Sequence, residues 1–339
     1  MAQSVFPPHG ASSQTVGTVV DPRSTDSQQA CQMAQANYQV RQLLWKLVGA
    51  TFVLMAIGSA TRVMNAGLAC PDWPLCYGTL IPTQQMNLQV FLEWIHRLDA
   101  SLIGLMTMFL VAIAIKQRQL LPSWVTWSAG LAFVLVCAQG ALGAFTVTEL
   151  LRFDIVTAHL GTALAFFALL LGMAIALTPP SPVSSKPEVG HSQLLHRFSG
   201  VAAVSAGLIY GQSLTGGLVG SQWALHQCLA IAQLCVVMNS HLLGVIPSTL
   251  GILVLVGWGW KQRHTLDPLV NRFSQIAGFL LLLQIILGVA TFRLHLQVEL
   301  LTIAHQMTAA ALFGSLVCLT VRSIGISRRA SSVMLEADA

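Results

Sequence analysis

Residues 95–115 read IHRLDASLIGLMTMFLVAIAI, and this stretch decides the fold class of the chain. After Asp99 it carries no charge, and its length matches the roughly 20 helical residues that cross a bilayer core. The whole chain is 55% hydrophobic and 9% charged, whereas soluble globular domains have about 25% charged residues. We therefore predict an all-α integral membrane protein with eight transmembrane helices. The predicted spans are residues 44–63, 95–115, 123–146, 155–177, 198–220, 234–259, 273–293 and 299–321.

Polar segments divide these spans into two halves. Residues 1–40 are rich in Ser, Gln, Thr and Ala, and we predict a disordered cytoplasmic tail. Residues 178–197 are predicted to be a cytoplasmic linker between an N-terminal four-helix bundle (41–177) and a C-terminal four-helix bundle (198–323). Residues 324–339 are predicted to form a second cytoplasmic tail.

The Lys and Arg residues predict the orientation in the membrane. With the N-terminus inside, 13 of the 17 lie on the inner side, and the outer side holds Arg62, Arg97, Arg152 and Arg293. This asymmetry follows the positive-inside rule, so both termini are expected to be cytoplasmic. The net charge of +5 then reflects topology and predicts no nucleic-acid partner.

Four histidines lie at matching depths in two copies of one hydrophobic pattern. His96 and His241 are 145 positions apart, and His159 and His305 are 146 positions apart. Polar rings are rare in apolar helices because they need a partner there. Paired imidazoles from facing helices commonly hold an iron porphyrin, so the pattern predicts two such sites.

Shorter motifs repeat as well and predict an internal duplication with pseudo-symmetric halves. Gln139–Gly143 and Gln284–Gly288 share the form Gln-x-x-Leu-Gly at an offset of 145. We expect Gln139 and Gln284 to hydrogen-bond to neighbouring helices. Asn65-Ala-Gly-Leu is aligned with Thr215-Gly-Gly-Leu at an offset of 150.

The segment Glu93-Trp-Ile-His96-Arg97 opens the second span. Positions i and i+3 share a helix face, so Glu93 and His96 are expected to face one cavity near the outer surface. A carboxylate there could relay a proton or stabilise a developing positive charge, and Arg97 could pair with a propionate. The second copy has Met238 and Leu242 in place of the acid and the base. This difference predicts a reaction in the first half and electron handling in the second.

The cysteines of the external segments are candidates for disulfides. Cys70 and Cys76 flank a five-residue loop on the predicted oxidising face, where such a loop can close as a disulfide. The alternative is two unrelated thiols, while the C-x5-C spacing does not match a zinc site. Cys228 and Cys235 are a second, less well defined pair.

These features together resemble the haem A synthase family, over roughly residues 41–325. The resemblance implies a membrane oxidoreductase that converts the C8 methyl of haem O to a formyl group through a hydroxymethyl intermediate. It implies that His96 and His159 bind the substrate haem, that Glu93 is catalytic, and that Arg97 completes the motif.

The resemblance also implies a haem B cofactor, with His241 and His305 as iron ligands. The family's external disulfide corresponds to Cys70 and Cys76, and that of some members to Cys228 and Cys235. The implied partners are haem O, haem O synthase (protohaem farnesyltransferase) and the assembly of terminal oxidases. The implied location is a bacterial-type cell membrane, with the Cys loop on the outer face and a homo-oligomer compatible with the fold.

Other interpretations remain open at the level of sequence. A di-haem b-type electron carrier would hold permanent haems in both halves, and a transporter would use the histidines structurally. Glu93 and Arg97 could also be interfacial anchors. His226 could lie over the second site, and His295 near a propionate.

Overall fold

The computed structural model describes residues 22–179, 191–220 and 233–337, and these residues form eight α-helices. The helices are α1 (Pro22–Val63), α2 (Leu88–Lys116), α3 (Ser123–Thr148), α4 (Phe153–Ala176), α5 (His191–Val219), α6 (Gln233–Lys261), α7 (Pro268–Arg293) and α8 (Glu299–Ala337). Within the described ranges no strand forms, and an isolated bridge joins Cys76 and Thr79. The predicted all-α class is confirmed.

Seven helices are long and apolar enough to cross a membrane, namely all except α5. The sequence of α5 includes Ser, Gln, Thr, His and Arg among its apolar residues, which dilutes its hydropathy. The predicted span at 198–220 therefore stays a prediction, whereas the other seven predicted spans each fall on a candidate membrane helix.

Three helix ends differ from the predicted boundaries. Helix α1 begins at Pro22, so residues 22–40 are helical and the predicted disordered tail is wrong there. Pro22 suits the first position of a helix, and no Gly or Pro follows it until Gly49. Helix α5 begins at His191, inside the predicted linker, and α8 continues to Ala337 through the predicted C-terminal tail. Polar composition marks where helices leave the apolar layer, and it does not by itself end them.

The helices pack in two rings of four. Each of α1 to α4 packs on the next and α4 packs on α1, while α5 to α8 repeat this arrangement. Helices α1 and α4 also contact α8, and α4 contacts α5. The core follows these contacts, since Leu164, Leu170, Leu312 and Leu316 on α4 and α8 are almost completely buried.

A buried ion pair fastens the end of the fold where α4 stops and α7 starts. Arg322 Nη2 of α8 lies 3.1 Å from Oδ2 of Asp267, and both side chains are almost inaccessible. Arg322 Nη1 also donates to the backbone carbonyls of Thr178 and Pro179. Asp267 in turn caps α7 by accepting from the Leu269 N–H. One arginine of α8 thus joins the end of α4 to the start of α7.

Candidate functional site

Each of the four helix histidines lies against a glycine of the preceding helix. A Cβ atom built on the glycine would lie close to the histidine Cε1: 2.8 Å for Gly58 and His96, 3.6 Å for Gly143 and His159, 3.0 Å for Gly216 and His241, and 2.9 Å for Gly288 and His305. Three of these distances are shorter than an ordinary carbon contact of about 3.5 Å. The glycines therefore provide the space in which the rings sit.

The four rings lie deep among the helices yet keep accessible surface, as side chains that face internal cavities do. The Nδ1 atoms of His96, His159 and His305 are covered and have no hydrogen-bond partner among the described residues. His241 Nδ1 lies 3.1 Å from the Thr215 hydroxyl.

The two members of each predicted histidine pair lie near each other. His96 lies within electrostatic range of His159, and His305 within range of His241. No group of three His, Cys, Asp or Glu side chains in the described ranges could hold a bare metal ion. Two imidazoles match the two axial positions of a porphyrin iron, so the residues present fit a bis-histidine haem.

Three of these glycines have a glutamine four residues earlier in the same helix. Each glutamine contacts the histidine that faces its glycine by a hydrogen bond. Gln139 and Gln212 each donate from Nε2 to a histidine backbone carbonyl at 2.8 Å, those of His159 and His241. Gln284 Nε2 lies 3.3 Å from the His305 ring. The predicted interhelical roles of Gln139 and Gln284 are confirmed. Gln212 was missed, although the form Gln-x3-Gly recurs at all three places.

The first helices of the two halves align differently from the sequence prediction. Gly58 and Gly216 occupy the same position against their histidines, which is an offset of 158 and not 150. Asn65 lies beyond the end of α1, whereas Thr215 lies inside α5. The predicted alignment of those two segments was wrong. The connections that follow α1 and α5 differ in length by more than the alignment assumed.

Glu93 and Arg97 form an ion pair beneath the loop that joins α1 to α2. Arg97 Nη2 lies 2.5 Å from Glu93 Oε1, and Oε2 of Glu93 accepts the Cys70 N–H at 2.7 Å. Arg97 Nη1 donates to the carbonyls of Asp72 and Leu75 at 2.7 and 2.5 Å. The guanidinium, which could have paired with a propionate, thus donates to protein oxygens. Both oxygens of Glu93 also accept hydrogen bonds within the protein.

The α1–α2 loop that holds this pair is closed by a disulfide. Cys70 and Cys76 are bonded, as predicted, and both are buried. Asp72 inside the loop accepts the backbone N–H groups of Tyr77 and Gly78 at 2.6 and 2.7 Å. The Gly78 N–H, followed by that of Tyr77, holds the pKa of the Asp72 carboxyl below its ordinary value. The loop is therefore a constrained lid over Glu93 and Arg97.

The corresponding region of the second half differs. Leu242 is 44% exposed and, like Met238, carries no charge. His295 is exposed in the connection between α7 and α8. His226 and Cys228 lie outside the described residues, and so does the side chain of Cys235, so the predicted second disulfide stays a prediction.

Comparison with known proteins gives a consistent result. Heme A synthase of Shewanella oneidensis is 32% identical over 212 residues, which cover 56% of this chain and 60% of that protein. Heme A synthases of Erythrobacter litoralis and Rhodospirillum centenum are each 27% identical, over 267 and 327 residues. These matches cover 68% and 81% of this chain, and 73% and 86% of the relatives. The match to the Shewanella protein thus spans less than two thirds of that relative.

The model of the COX15-CtaA family, described as cytochrome oxidase assembly protein, matches residues 41–317. This range takes in both histidine pairs, the Glu93–Arg97 pair and about the first half of α8. With the seven candidate spans it identifies a multi-pass membrane protein. The chain belongs to the haem A synthase family of cytochrome oxidase assembly proteins.

Proposed function

We propose that the protein is a haem A synthase, which oxidises the C8 methyl of haem O to a formyl group through a hydroxymethyl intermediate. The observation that carries the proposal is the presence of two histidine pairs of the same design, in which every histidine lies against a glycine. Only the first pair has a buried acid with a partly buried base beside it. The names of the relatives support the same reaction.

The two halves divide the work in this proposal. His96 and His159 bind the substrate haem O, whereas His241 and His305 hold haem B as a resident cofactor. The division is supported by the Glu93–Arg97 pair, because the second half has uncharged residues at the corresponding positions. When bound, haem B supplies one-electron redox chemistry, and the protein supplies ligation and placement.

The chemistry assigns Glu93 an electrostatic role. Conversion of a methyl to a formyl group removes four electrons and adds one oxygen, and positive charge develops on the carbon beside the ring. A preorganised carboxylate stabilises such charge in a site from which water is excluded. Both Glu93 oxygens already accept hydrogen bonds from Arg97 and Cys70, which favours charge stabilisation over proton abstraction.

The architecture that fits this division is two pseudo-symmetric four-helix bundles, 41–177 and 198–323, from an internal duplication. The two rings of four contacting helices support it. So do the left-handed backbone pairs Leu150–Leu151 and His295–Leu296, which lie 145 positions apart in the α3–α4 and α7–α8 connections. We place the disulfide loop on the outer face and both termini in the cytoplasm, following the distribution of Lys and Arg.

The substrate and the product define which reactions must come before and after this one. A farnesylating haem O synthase supplies the substrate, and the assembly of terminal oxidases consumes haem A. The description of the matching family as cytochrome oxidase assembly protein supports the second link.

The proposal is tested by purifying the full chain, extracting its porphyrins and separating them by chromatography. Haem B together with haem O, hydroxylated haem or haem A is the expected result. Two haem B molecules per chain without the other forms would instead identify a di-haem electron carrier.

A Glu93→Gln variant tests the assigned role of the acid. It keeps an oxygen that can accept the Cys70 N–H but loses the charge, so we expect haem B to stay and haem A formation to fall roughly 100-fold. Glu149→Gln is the matched control, since Glu149 is an exposed acid beside Arg152. Normal haem A formation by Glu93→Gln would show that the charge of Glu93 has no part in the reaction.

A further inference from the structure

Arg62 lies near the end of α1, in the first half, but among the described residues its guanidinium donates hydrogen bonds to the second half. Nη1 donates to the Gly217 carbonyl of α5 at 3.1 Å, and Nη2 donates to Oε1 of Gln306 of α8 at 2.8 Å. Ser59 Oγ reaches the same Gln306 oxygen at 2.9 Å. The sequence suggested only an outer-side charge at this position.

Both residues that Arg62 contacts adjoin the second histidine pair. Gly217 follows Gly216, the glycine against which His241 lies. Gln306 follows His305 directly in α8. The guanidinium therefore lies beside the segments of α5 and α8 that carry the second histidine pair, although it comes from the other half of the chain.

The charge of Arg62 has no acidic partner in the described part of the chain. The ion pairs there join Arg97 to Glu93, Arg152 to Glu149 and Asp154, and Arg322 to Asp267. Arg62 lies deep among the helices but keeps some accessible surface, as the four histidines do. A charge in such a place is costly unless it is paired.

Arg62 also has unused hydrogen-bonding capacity. A guanidinium carries five N–H donors in a planar fork, and the two contacts to Gly217 and Gln306 use one donor on each terminal nitrogen. Both acceptors are neutral oxygens. The remaining donors match the geometry of a carboxylate, which a guanidinium binds through two parallel hydrogen bonds.

We propose that Arg62 binds a carboxylate of the haem held by His241 and His305, and so completes the second site from the first half. The inference rests on the proposed function, because it takes that site to hold a haem, whose peripheral propionates are its carboxylates. Arg62 then has two roles: it recognises the acid form of the cofactor and fastens α1 to α5 and α8.

The experiment compares protohaem with its dimethyl ester, which has the same iron and ring but no carboxylate. The full chain, carrying His96→Ala so that only the second site offers two ligands, is made in haem-deficient cells and purified in detergent. Each porphyrin is titrated and followed by the Soret absorbance. Arg62→Gln removes the charge, Arg62→Lys keeps the charge without the planar fork, and Arg293→Gln is the control at an exposed position on the same side.

We expect the background protein and its Arg293→Gln variant to prefer the free acid by roughly tenfold or more. Arg62→Gln should bind the two porphyrins alike, and Arg62→Lys should show a preference reduced at least threefold. An equal preference in Arg62→Gln and the background would overturn the inference, as would the absence of any preference in the background. Should Arg62→Gln fail to fold, an undiminished preference in Arg62→Lys overturns it. If neither porphyrin binds the background protein, the proposed haem site itself is wrong.

Discussion

Replacing Gly288 by alanine tests whether glycine sets the position of the facing ring. The added Cβ would lie 2.9 Å from Cε1 of His305 and 3.5 Å from Nδ1. Carbon atoms prefer separations of about 3.5–4.0 Å, so the ring must retreat by about 0.6 Å or more. A ligand displaced by that amount is poorly placed to share an iron with His241.

The magnitude follows from two opposing terms. Overpacking of a tight interior costs about 1–3 kcal/mol, whereas alanine stabilises a helix by about 1 kcal/mol relative to glycine. The fold should therefore lose at most about 2 kcal/mol. If the strain falls on the histidine instead, haem affinity at the second site falls about 5- to 150-fold.

The assay is the haem content per chain, measured as the pyridine haemochrome, together with the low-spin absorption bands of a bis-histidine iron. Gly211→Ala is the control, since a Cβ at Gly211 meets nothing within 4 Å. Circular dichroism checks that both variants are folded. If Gly288→Ala holds as much low-spin haem as Gly211→Ala, the glycine does not determine where the His305 ring lies.

Two further predictions concern stability. Arg322→Ala leaves Asp267 buried without its partner, so we expect the unfolding free energy, measured by denaturant titration, to fall by about 3–5 kcal/mol. A change below about 0.5 kcal/mol would contradict the stabilising role of this ion pair. The pKa of Asp72 is lowered in the folded loop by the Gly78 N–H, so its contribution is present at neutral pH and is lost as the pH falls below its ordinary value of about 3.8. We therefore expect phosphine reduction of the Cys70–Cys76 disulfide to be slower in the wild type than in Asp72→Asn at pH 6, with the difference disappearing only as the pH falls through the lowered pKa of Asp72. Equal rates at pH 6 would refute the role of this carboxylate.

Features set by spacing within one helix or one loop were predictable from the sequence. The pairing of His96 with His159 follows from hydrophobic spans of regular length, because depth in the membrane determines which residues can meet. The bond between Cys70 and Cys76 follows from a short loop between two cysteines. The helical roles of the glutamines followed from the same regularity.

Features that depend on a loop folding back were not predictable. Arg97 was expected to face a propionate, but it contacts carbonyls of the disulfide loop, and no spacing rule places backbone oxygens over a helix. The register between α1 and α5 was missed because the connections that follow them differ in length. The helical residues 22–40 were missed because polar composition was interpreted as disorder.

The reach of Arg62 to Gln306 also has a consequence for biosynthesis. The two residues are 244 positions apart, and a ribosome adds about 5–20 residues per second. Roughly 12–50 seconds therefore pass between the synthesis of Arg62 and the synthesis of Gln306, which accepts its hydrogen bond. The contact between α1 and α8 can therefore form only after most of the chain has been made.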